Sequence, residues 1–127
     1  MNLNLPDIFR YSDFRAYLFD YFSACKRDDP DFSCTDLHRQ LGIPQSRSYV
    51  GNVIKGRKVS PTFRERFIQV LNLSGPEADF FRLLVSHNQA ENVEMQELCS
   101  RYIKLFKMSK AEVSKKAYSV LHGAAAG

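Results

Sequence analysis

Cysteine is scarce in this 127-residue chain and shows no pairing pattern: Cys25, Cys34 and Cys99 are an odd number without a C-x-x-C spacing. Nothing therefore indicates a disulfide framework or a zinc site, and the three read as partly buried thiols of a reducing compartment. No apolar run approaches the length needed to cross a bilayer, and the opening MNLNLPDIFRYSDF lacks the basic-then-apolar order of a signal peptide. The expectation is a soluble, cytoplasmic protein with no membrane contact. No stretch alternates convincingly enough for a strand, and no segment repeats. Catalytic constellations are missing too. His38, His87 and His122 are scattered without carboxylate or cysteine partners at ligand spacing, and no nucleophile resembles one with its base. GNVIKGRK echoes a phosphate loop, but Arg57 and Lys58 stand where that loop needs a Lys and a hydroxyl. An enzyme, a metal, a cofactor and a small-molecule substrate are not expected.

What is present is helical periodicity, in a chain whose 44% hydrophobic content can bury a core. The formal charge of +4 permits a polyanionic partner without demanding one. Residues 1–11, with Pro6 and scattered apolar groups, form an arm, either packed on the body or mobile. From Ser12, an N-cap candidate, Phe14, Tyr17, Leu18, Tyr21, Phe22 and Cys25 recur at helical spacing, and DDPD at residues 28–31 stops that helix. Ser60 and Pro61 start another helix with Phe63, Phe67, Val70 and Leu71 inward and Arg64 and Glu65 outward. Ser74, Pro76 and Glu77 precede a further one carrying Ala78, Phe81, Leu84 and Val85. Beyond a polar boundary at HNQAEN, Met95, Leu98, Cys99, Tyr102, Leu105 and Phe106 give one more stripe. Ser109 and Glu112 then form a capping box ahead of a last helix, and the tail HGAAAG frays.

Residues 32–73 organise the rest. Ser33 with Asp36 forms a capping box and Phe32 with Leu37 a hydrophobic staple; Leu37 and Leu41 face inward. Gly42 suits the left-handed end of that helix, and Pro44 fits the first turn of the next. This is the pattern of a helix-turn-helix. On the second helix, roughly residues 45–55, Tyr49, Val50, Val53 and Ile54 fall on one side as anchors. The other side presents Gln45, Ser48, Gly51, Asn52 and Lys55, with Arg47 at the flank. Arg can grip guanine in a fork, Gln and Asn can pair with adenine, and small residues let a helix sit deep in the major groove. Gln45, Arg47, Ser48 and Asn52 are therefore the candidate base readers, and Lys55, Arg57, Lys58 and Arg64 the candidate phosphate contacts. Gly51 costs helix stability, which close approach of DNA or of a neighbouring helix would explain. An ordinary solvated surface is the alternative for this face, and Lys104, Lys107, Lys110, Lys115 and Lys116 form a second basic set of the same ambiguous kind.

LGIPQSRSYVGNVIKGRKV resembles the turn and recognition helix of the lambda Cro and repressor class. More of the chain, from about Tyr11 through Ala90, resembles the N-terminal half of the Fibrobacter major paralogous domain family of bacterial transcriptional regulators. The resemblance lies in FRAYLFDYF, FSCTDLHRQLGI, SRSYVGNVIKGRKVSP and FFRLLVSHNQA, the last being the more family-specific mark. Members continue into a larger C-terminal region, so the resemblance implies a shortened relative or a portion of a longer regulator. The expected architecture is all-α: an arm over residues 1–11, a helix-turn-helix DNA-binding domain over 12–90, and a C-terminal helical extension over 91–127. The expected partner is double-stranded DNA, with homodimerisation compatible with paired half-sites. The competing expectation is a helical protein-interaction module that binds no DNA.

Overall fold

The apolar stripe beginning at Phe14 forms helix α1 (Phe14–Asp28) in the computed structural model, which describes residues 5–29, 31, 39–42 and 49–118, with side chains through Met108. The fold is all-α, and no strand occurs among the described residues. The cap of α1 is Asp13 rather than Ser12: the Asp13 carboxylate accepts from the Arg15 amide at 2.8 Å. Ser12 is instead held through its own carbonyl, which accepts from Asn88 Nδ2 at 3.1 Å, while a carboxylate at a helix start also suits the helix dipole. Ahead of α1 the arm packs on the body as a 3-10 turn, Ile8–Arg10, with Ile8 buried.

Residues 39–41 are helical and end at Gly42, whose φ of 76° is the left-handed conformation expected there. Its amide donates to the Arg39 carbonyl at 3.1 Å. The capping box of Ser33 and Asp36, the staple of Phe32 and Leu37, and Pro44 lie outside the described residues. Next come α2 (Tyr49–Lys55) and α3 (Pro61–Val70). The latter starts as expected, with Ser60 Oγ accepting from the Phe63 amide at 3.2 Å and Pro61 in the first turn. It ends on Asn72 at φ 57°, where the Asn72 and Leu73 amides donate to the Gln69 and Ile68 carbonyls, a Schellman closure in which Asn replaces the usual glycine.

Helix α4 (Pro76–Asn88) is capped by Gly75 at φ 56° without a side-chain hydrogen bond, so Ser74 does not serve as its cap. Pro76 occupies the first helical position, which fixes the cap one residue after Ser74. The helix lies centrally, touching α1, α3 and the 3-10 turn. Consecutive helical residues point about 100° apart, and Phe80 and Phe81 use this to serve two sides. Phe80 sits between Phe9 at 5.1 Å and Phe106 at 5.6 Å between ring centroids, whereas Phe81 meets Phe14 at 6.1 Å and Tyr17 at 6.5 Å. Phe14, Phe67, Phe80 and Phe81 are fully buried, each contributing about 1.5–3 kcal/mol from burial.

The last helix, α5 (Val93–Tyr118), corrects two expectations. It runs unbroken through Ser109, where a capping box was expected: an N-cap needs extended backbone, and no Gly or Pro between Val93 and Tyr118 interrupts the helix. Its apolar residues also divide. Cys99 and Ile103 are buried and Phe106 packs against the core, but Met95, Leu98, Tyr102 and Leu105 remain exposed.

Candidate nucleic-acid interface

Helix α2 is anchored as its pattern predicts. Tyr49, Val50 and Val53 are buried, Ile54 packs at the core edge, and Gly51, Asn52 and Lys55 are exposed. Tyr49 lies 5.0 Å from Phe63 and nearly parallel to Phe67 at 6.3 Å, which fixes α2 against α3. Gly51 has an ordinary helical φ, and among the described residues nothing lies within 4 Å of where its Cβ would stand. No described neighbour therefore accounts for this glycine. Gln45, Arg47 and Ser48 lie outside the described residues, so Asn52 is the candidate base reader whose position is defined.

The turn after α2 is tightly held. Gly56 adopts φ 134°, its amide donates to the Val53 carbonyl at 3.0 Å, and the Arg57 amide donates to the Asn52 carbonyl at 2.9 Å. These two bonds form another Schellman closure. Arg15 of α1 then seals the same corner, its Nε donating to the Val53 carbonyl at 2.9 Å and its Nη2 to the Gly56 and Arg57 carbonyls at 3.2 and 3.3 Å. A guanidinium here gives the Gly56 and Arg57 carbonyls a side-chain donor, adds a second donor to the Val53 carbonyl, and complements the negative end of the helix dipole. Arg15 had no role in the sequence reading, since pattern alone places it on the polar side of α1.

The residues HNQA brace the other side of this loop. Gln89 Oε1 accepts from the Val59 amide at 2.6 Å while its Nε2 donates to the Val59 carbonyl at 3.1 Å, as a neighbouring strand would. Asn88 does the same for the start of α1, its Oδ1 accepting from the Phe14 amide at 2.8 Å. Both loop and helix start are thereby tied to the end of α4.

The four candidate phosphate contacts differ in what already engages them. Lys55 is exposed, and Arg57 is exposed with its guanidinium 5.0 Å from the Tyr49 ring centroid. Lys58 pairs with Glu91, and both side chains are largely in solvent, where such a pair exchanges readily. The pair holds the Glu91 carboxyl below the usual carboxylate range. Arg64 is drawn into a cluster rather than left outside. Its Nε donates to Glu65 at 2.8 Å, and Glu65 also receives Arg82 through Nε and Nη2 at 3.0 and 2.7 Å. The Arg82 bonds, then those of Arg64, push the Glu65 carboxyl down to about 2.

Neither family models, nor curated proteins, nor solved structures match this chain. Its chemistry is therefore read from its own surface. Among the described residues no His, Cys, Asp and Glu cluster could hold a metal, and no helix is long and apolar enough to cross a membrane.

Proposed function

We propose that this chain is a sequence-specific DNA-binding module of a bacterial transcriptional regulator, acting in the cytoplasm without catalysis. In this reading α2 is the second helix of a helix-turn-helix and enters the major groove, and Asn52 reads base edges together with Gln45, Arg47 and Ser48. Lys55, Arg57 and Lys58 hold phosphates beside the groove, and Arg64 joins them if it exchanges Glu65 for a phosphate.

The observation that carries the proposal is Gly51. It weakens a short helix at an exposed position, and no contact among the described residues requires it. A helix that seats its backbone against a partner has a use for a missing side chain there. The Arg15 and Gln89 braces add support, because a loop bearing Lys55, Arg57 and Lys58 is held rigid before any ligand arrives.

Fluorescence anisotropy of a labelled duplex across salt concentrations tests the reading. Three phosphate contacts predict log affinity falling against log salt with a slope of about −2.7, and four predict about −3.6. Arg57→Ala should weaken all duplexes alike and flatten the slope by about 1. Absence of duplex binding at low salt, or binding indifferent to salt, would remove the proposal.

A further inference from the structure

The apolar residues that α5 withholds from the core are spaced in a particular way. Met95, Leu98, Tyr102 and Leu105 follow one another at intervals of three, four and three residues, the seam of a helix that packs along a second helix. They are 45%, 45%, 50% and 56% exposed. Cys99, Ile103 and Phe106 on the adjoining side already pack inward, so the seam extends the apolar arc of α5 beyond what the core covers. With Met108, 61% exposed, it amounts to roughly 500 Å² of exposed surface, in the range of the largest apolar patch on a soluble monomer, which is often functional.

Charge along α5 says what covers it. Exposed Glu94 and Glu97 occupy the first turns, and exposed Arg101 and Lys104 the turns that follow. A second copy laid antiparallel sets the acidic half of each helix near the basic half of the other, whereas a parallel copy sets like against like. Joining two such faces conceals on the order of 1,000 Å², the lower limit for a biological interface and the size of a weak, reversible one. We infer that α5 pairs antiparallel with α5 of a second copy of this chain, forming a two-fold dimer through Met95, Leu98, Tyr102 and Leu105. This seam is separate from α2, so the dimer does not depend on the DNA reading.

Sedimentation velocity of the full chain over a wide dilution series tests the inference. A species of twice the chain mass that dissociates on dilution is expected. Leu98→Glu with Tyr102→Glu changes only exposed positions and should leave the helical signal and the urea midpoint of the monomer intact while abolishing the dimer. Phe19→Glu, an equally exposed aromatic on α1, should leave the dimer unchanged. Orientation is tested by charge reversal. Glu94→Lys with Glu97→Lys makes both halves basic and should weaken the dimer about tenfold. Adding Arg101→Glu with Lys104→Glu reverses the gradient and should restore it. A monomer at every concentration would overturn the inference, as would a dimer indifferent to Leu98→Glu with Tyr102→Glu. Failure of the fourfold variant to recover would overturn the antiparallel arrangement.

Discussion

At the scale of single residues, Gly51 makes the sharpest division between stability and function. Its site is helical and open, so Gly51→Ala should stabilise the protein by up to about 1 kcal/mol in urea unfolding. The same methyl should weaken duplex binding if α2 seats in the groove. Asn88→Ala tests the brace at the start of α1: the Phe14 amide loses its acceptor, and unfolding should become easier by about 1–3 kcal/mol. Glu65 sets an acid limit. Its folded carboxyl lies near 2 against an ordinary 4.5, so its pairing with Arg82 and Arg64 stabilises fully above pH 4.5 and is lost as pH falls toward 2. Because this carboxylate is substantially solvated, the contribution amounts to no more than about 1 kcal/mol. Glu65→Gln should flatten the pH dependence of the urea midpoint in that window and, nearer neutrality, lower the midpoint without changing its pH dependence.

Elements show which features a sequence expresses and which it conceals. Gly42 and Ser60 were legible because a left-handed glycine and a Ser-Pro start depend on residues within one turn. The anchored side of α2 was legible from periodicity, since Tyr49, Val50 and Val53 have nowhere else to go. Asp13 against Ser12, and Gly75 against Ser74, were not. Each pair offers two neighbouring caps, and the choice is made by Asn88 76 residues away in one case and by Pro76 in the other. Nor could the division of α5 be read, because which apolar residues are covered depends on where α4 and the 3-10 turn present Phe80 and Phe9. The corner after α2 depends on Arg15 in the same long-range way. Arg15→Ala removes the donor from the Gly56 and Arg57 carbonyls, leaves the Val53 carbonyl with the Gly56 amide alone, and should destabilise the protein by about 1–3 kcal/mol, while weakening duplex binding through loop disorder rather than lost contact.

On the scale of the whole molecule, α4 is the hub that joins two surfaces of different character. One is the polar face of α2 with its basic loop, tied to α1 by Arg15 and to the end of α4 by Gln89. The other is the apolar seam of α5, a helix packed on α4 through Phe80 and Phe106. An antiparallel α5 pair would present two α2 faces related by a two-fold axis, which predicts a symmetric binding site. We propose that α2 reads DNA sequence at such a site. Selection of bound duplexes from a random library, with the unaltered chain and with Asn52→Ala, tests it most directly. An enriched motif that loses preference at particular positions when Asn52 is replaced is expected. Enrichment of no motif, or of an identical motif by both proteins, would contradict it.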